Sequence, residues 1–176
     1  GVNLVGTTYT TNAVTANCTV SATFSQNTYT VTPSAGSNGT ISPNTAQTVN
    51  YGSTTSFTAT PNTGYTTSVG GTCGGNLVGN TYTTNAITAN CTVSATFAQN
   101  TYTVSATAGA NGTISPASRS VAHGATTTFT VTPNTGYTAS VGGTCGGNLV
   151  GTTYTTNAIT ASCTVVASFT VKDYTV

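Results

Sequence analysis

Residues 76–97 read NLVGNTYTTNAITANCTVSATF. In its last part Cys91, Val93, Ala95 and Phe97 alternate with Thr92, Ser94 and Thr96. That period of two puts apolar side chains on one face of an extended strand and hydroxyls on the other. The stretch recurs with few changes from Asn3 and from Asn148, at shifts of 76 − 3 = 73 and 148 − 76 = 72 residues. Self-similarity at a fixed period marks one supersecondary unit written in series, so the chain reads as an array.

Upstream, Thr28-Tyr29-Thr30-Val31 returns as Thr101-Tyr102-Thr103-Val104 and gives each unit its opening strand, with Tyr29 and Val31 on one face. Pro33 and the segment SAGSNG then read as a turn built on Asn38-Gly39, leading to a short strand at Thr40 to Ser42, so the pair is expected to form a hairpin. Further on, Thr55, Phe57 and Ala59 share a face, and Pro61-Asn62-Thr63-Gly64-Tyr65 closes that strand with turn residues. Helical periodicity is found in no segment. The expected fold class is all-β, as tandem small antiparallel β domains of sandwich-like or grasp-like character. The divisions fall at 1–26 (the C-terminal part of a repeat), 27–99 and 100–171 (complete repeats) and 172–176 (the start of another). Phe97→Ala is expected to weaken its unit by several kcal/mol, as core truncations do.

Cysteine spacing is copied along with the repeat. Cys73 and Cys91 are 91 − 73 = 18 residues apart, as are Cys145 and Cys163 (163 − 145 = 18). The spacing reads as one disulfide per repeat; buried free thiols are the plainer alternative, and zinc would need four converging ligands with no CxxC pair in the sequence. A bridge of this loop length stabilises by roughly 3 kcal/mol in the chain-entropy model, and it implies an oxidising compartment. Cys18 is the fifth cysteine; counting back 18 residues falls just before Gly1, so it stands unpaired here and its partner is expected on a longer polypeptide.

Charge is almost absent: two Lys plus Arg, one Asp plus Glu and one His over 176 residues, for a net charge of +1. Nucleic acid is not an expected partner, because phosphate neutralisation requires several cations. No run of 18 apolar residues occurs, so no membrane span is expected in this segment. A surface with so little self-repulsion favours association with neighbouring repeats or identical chains.

At this point the residues resemble the divergent internalin B-repeat family, over essentially the whole chain. The resemblance rests on Tyr51-Gly52 before a strand, Ala59 to Tyr65, and the closing Val93 to Phe97, with a second copy at His123-Gly124, Val131 to Tyr137 and Val165 to Phe169. It implies small β-rich domains strung in tandem on secreted or cell-surface bacterial proteins that act as stalks, spacers or adhesins, with no catalytic residues to carry over. One departure is the lack of a Trp after Gly-Tyr, where this chain has TTSVGGTCGG at 66–75 and TASVGGTCGG at 138–147. A disulfide there would replace the aromatic plug.

Reactive constellations are missing from the sequence. The single acidic side chain is Asp173, beside Lys172, so no carboxylate pair for acid and base work or for calcium exists within the chain. His123 stands where the preceding repeat has Tyr51, which argues for a packed or solvent-facing strand residue; Arg119 is near it in sequence. Ser and Thr lack an oriented base. No catalytic, metal or cofactor site is expected. Asn-x-Thr triplets at Asn17, Asn38, Asn90 and Asn111 read as turn chemistry or glycan acceptors, and rows of outward Thr offer a surface for O-glycans, ice or sugar. The expected function is a structural tandem-repeat segment of a bacterial extracellular filament, stalk or surface fibre, with no enzymatic activity. The alternative is a multivalent adhesin module for a glycan or host protein.

Overall fold

The structure is a computed structural model that describes residues 3–173. Every regular element among them is a strand. The chain opens with a two-stranded ribbon, β1 (Asn3–Val5) against β2 (Thr8–Thr10). The first repeat then contributes β3 (Thr28–Ala35), β4 (Gly39–Ser42), β5 (Gln47–Asn50), β6 (Ser56–Pro61), β7 (Tyr65–Gly70), β8 (Gly75–Val78), β9 (Thr81–Thr84) and β10 (Cys91–Gln99). They form two four-stranded sheets, ordered β5-β3-β10-β7 and β4-β6-β9-β8, with one core between them.

The second repeat copies this layout. Its strands are β11 (Thr101–Ala108), β12 (Gly112–Ser115), β13 (Ser118–Ala122), β14 (Thr128–Pro133), β15 (Tyr137–Gly142), β16 (Gly147–Val150), β17 (Thr153–Thr156) and β18 (Cys163–Val171). The sheets are β13-β11-β18-β15 and β12-β14-β17-β16. The chain is therefore all-β with two tandem repeats. Of the expected start of another repeat at 172–176, Tyr174, Thr175 and Val176 lie outside the described residues.

Two local expectations are corrected. β3 and β4 are not a hairpin: β3 pairs with β5 and β10, whereas β4 pairs with β6 in the opposite sheet. Asn38, at φ 71°, turns the chain across the sandwich, so that Val31 and Ile41 enter the same core from its two sides. Gly39 serves a different need: a Cβ there would overlap the Phe97 ring, which lies against the start of β4. Gly112 and Phe169 repeat the arrangement.

The opening strand also runs through Pro33 to Ala35 instead of ending at the proline. Pro33 is buried and lies opposite Val93, and the equivalent position in the second repeat is the buried Ala106. The β3–β10 pair is parallel, with Cys91 opposite Val31 and Ala95 opposite Ala35; every other pair in that repeat is antiparallel. A parallel pair needs a long crossover, and here the whole of β4 to β9 supplies it.

The core of each repeat centres on a cross-strand aromatic pair. Phe57 faces Tyr82 in register, at 1% and 2% exposure, and Phe129 faces Tyr154 likewise. Val31, Val93, Ala59, Ala95 and Ile87 fill the space around the first pair. Thr84 is buried but satisfied, its Oγ1 accepting from the Thr55 amide at 3.0 Å. The outward positions carry hydroxyls, among them Thr28, Thr30 and Thr32 on β3 and Thr92 and Thr96 on β10, all exposed.

Residues 3–24 show what the other strands contribute. Tyr9 and Phe24 stand at the repeat positions of Tyr82 and Phe97, yet they are 43% and 96% exposed. Burial in this fold is non-local, because the sheets pair strands far apart in sequence, as β3 with β10 and β6 with β9.

Candidate interaction surface

Cys73 and Cys91 are joined, as are Cys145 and Cys163. Cys73 lies in the loop that carries the chain from β7 in one sheet to β8 in the other, and Cys91 opens β10. Each bridge therefore ties the crossing loop to a central strand. Around it the Thr92 amide donates to Thr72 Oγ1 at 2.9 Å, the two threonine hydroxyls lie 3.2 Å apart, and the Cys73 amide reaches the Thr92 carbonyl at 3.2 Å. Thr144 and Thr164 reproduce the hydroxyl contact at 3.3 Å in the second repeat. Cys18 is exposed and unbridged.

The brace depends on Gly71. Its φ is +127°, and a Cβ would run into the Thr92 carbonyl, which is backbone in the part of β10 paired with β3 and already accepts from the Cys73 amide. Gly71→Ala is expected to destabilise the first repeat by roughly 2–4 kcal/mol, the sum of a strained φ and an overpacked contact. Hydrogen exchange checks it: the Ala59 amide, bonded to Asn80 at 2.8 Å, loses protection, while the equivalent Val131 amide, bonded to Thr152 at 2.8 Å, keeps its own. Equal protection of both amides in the variant would refute the claim.

The ionisable side chains are not brought together as a reaction centre. Arg119 lies exposed on β13, Lys172 and Asp173 lie exposed beyond β18, and His123 sits one residue past β13, half-buried. Among the described residues no three His, Cys, Asp or Glu side chains gather as metal ligands would. Burial pushes the Tyr154 phenol above its ordinary value, the direction of a core tyrosine kept neutral and opposite to that of an activated nucleophile. Recesses beside the disulfides, lined in the first repeat by Thr72, Cys73, Ile87, Thr88 and Cys91 among others, are shallow and uncharged. No helix of the described residues is long and apolar enough to cross a membrane.

What this surface offers is hydrogen-bonding hydroxyls, strand edges and the ends of the repeats. Edge strands β5, β7, β4 and β8 each have one ladder neighbour, so each repeat presents backbone N–H and C=O groups at the rims of both sheets. The sequence reading of His123 as a packed or solvent-facing strand residue is corrected in one respect: it is half-buried, but in the turn just past β13, and which group it packs on was not foreseen. The signal was present, because ring-Gly recurs at Tyr51-Gly52 and His123-Gly124 with a ring in both copies.

Two sandwiches of the same topology in series, each braced by one disulfide and bearing no reactive cluster among the described residues, define a tandem-repeat protein. The chain belongs to the divergent InlB B-repeat domain family, whose family model matches residues 29–101 and 102–173. The searches of curated proteins and of solved structures returned no match.

Proposed function

We propose that this chain is a structural segment of a bacterial extracellular filament, stalk or surface fibre, in which residues 27–99 and 100–171 act as serial, mechanically resistant spacers. The observation that carries this reading is the placement of the Cys73–Cys91 and Cys145–Cys163 bridges, which lock the loop crossing between sheets to a central strand in both repeats. Such bridges persist in an oxidising setting, which supports a position outside the cytoplasm. Stiffness in series also needs no charge, and the chain has almost none.

Single-molecule pulling on the ends of the chain tests the proposal. Two unfolding events of nearly equal length are expected under oxidising conditions. Each should lengthen by roughly 60 Å on reduction, because the 18-residue separation between bridged cysteines then becomes extensible at about 3.3–3.6 Å per residue. Extension without resolved events, or events unaffected by reductant, would refute the spacer role. The second reading, a multivalent adhesin, is supported by the uncharged hydroxyl faces on β3 and β10; saturable binding to a glycan array, absent from a control sandwich, would favour it.

A further inference from the structure

One residue, Asn100, separates β10 of the first repeat from β11 of the second. Its amide donates to the Gly64 carbonyl at 2.8 Å, its side-chain oxygen accepts from Thr66 Oγ1, and its carbonyl accepts from the His123 amide at 2.9 Å. The His123 ring completes this junction. It leans on Tyr102 of its own repeat, with centroids 6.0 Å apart at 56°, and covers Gly64 of the preceding repeat so closely that a Cβ there would overlap the imidazole. Its Nδ1 is buried with no hydrogen-bond partner among the described residues, so the ring acts here by shape.

Both halves of this contact are present a second time, without their counterpart among the described residues. Gly136 ends the same Pro-Asn-Thr-Gly turn at φ +85°, against +84° for Gly64, and its carbonyl accepts from the Lys172 amide at 2.8 Å, as that of Gly64 does from Asn100. Among the described residues, nothing lies within 4 Å of where its Cβ would be. At the other end Tyr51 leans on Tyr29 with centroids 6.2 Å apart at 52°, close to the His123 geometry, but it is 54% exposed. Gly136 and Tyr51 therefore have the same local geometry as their docked counterparts Gly64 and His123.

Resting on the reading of the chain as a serial structural array, we propose that these are the two faces of a repeat-to-repeat docking surface. The Gly136 turn takes the ring of a following repeat, and Tyr51 covers the glycine turn of a preceding one. The occupant is another copy of the repeat on the same polypeptide, joined as these two are through a single linker residue. A ring on a glycine with a few linker hydrogen bonds is too small to hold separate molecules, but a short covalent tether gives an effective concentration in the millimolar range and makes so small a contact sufficient. Docking fixes the angle between repeats and turns a string of sandwiches into a rod.

The test is 15N relaxation on the full chain and on His123→Ala and His123→Tyr. The two repeats of the unmodified chain should tumble with one correlation time. In His123→Ala the two should separate and fall toward that of a single repeat, and His123→Tyr, which installs the residue found at position 51, should restore common tumbling. Common tumbling in the alanine variant, or its loss in the tyrosine variant, overturns the proposal. If His123→Ala instead unfolds the second repeat, seen as lost protection at the Val131 amide, a chain carrying a further copy of residues 100–171 after Val171 decides. The Gly136 amide resonance should shift in that chain; an unmoved Gly136 overturns the docking surface. Independent tumbling of the unmodified repeats alongside two intact force events would sink the docking surface and leave the spacer reading standing.

Discussion

Phe57→Ala is expected to destabilise the first repeat by about 3–5 kcal/mol, the range for truncating a fully buried aromatic. Phe57 is 1% exposed and faces Tyr82 across β6 and β9, so its loss opens a cavity at the centre of a core whose other members are mostly Val, Ile and Ala. Flanking strands are tied into two ladders and a disulfide, which limits how far they can close the gap. A whole domain has only about 5–15 kcal/mol of stability, and a repeat of this size lies toward the low end. The change should therefore bring the first repeat close to unfolding near 37 °C. Amide exchange reads it directly, with Ala59 losing protection by two to four orders of magnitude and Val131 retaining its own. Phe24→Ala is the internal control: Phe24 stands at the repeat position of Phe97 but is 96% exposed, so its removal should leave both amides unchanged. Joint loss at Ala59 and Val131 in Phe57→Ala would show that the repeats unfold as one unit and count against this prediction.

The contrast between Phe24 and the buried rings also explains which parts of the fold were legible. Alternation in Cys91–Phe97 is a local property, and it correctly gave the faces of β10, because side chains on a strand point to opposite sides whatever the partner. Likewise the 18-residue spacing, copied with its repeat, signalled the bridges. Strand partnership is non-local, and there the reading of residues 28–42 as a hairpin failed. Asn38-Gly39 does turn the chain, with Asn38 at positive φ, but a turn signal carries no information on whether the next strand returns to the same sheet or crosses to the other. The ladder of β3 was already filled by β5 and β10, the latter more than fifty residues later in the chain (91 − 35 = 56), and period-two patterning cannot reveal a parallel partner at that distance. The docking position was invisible for a related reason. His123 could be read as packed or solvent-facing but not assigned a partner, because the group it covers, Gly64, has no side chain to advertise the contact.

Removing one brace should produce an effect nearly as large, confined to one repeat. The double variant Cys73→Ala/Cys91→Ala is expected to lose about 3 kcal/mol from the first repeat, since the loop it opens carries that much closure entropy in the chain-entropy model. For a domain this small, that corresponds to a fall in Tm of roughly 12–24 °C. The second bridge is untouched, so calorimetry should resolve one transition near the original temperature and one well below it. Alanine suits the test better than serine because Cys73 is buried and a hydroxyl there would add a desolvation penalty of its own. Native-state geometry near the bridge should survive, because the Thr92 amide still reaches Thr72 Oγ1 and the Cys73 position keeps its backbone bond to the Thr92 carbonyl. The loss would then reside mainly in a freer unfolded chain. Reductant added to the double variant should lower the upper transition and leave the lower one in place. If both transitions fall together, or neither moves on removal of the bridge, the disulfides are not what stabilises the repeats, and the spacer reading loses its main physical support.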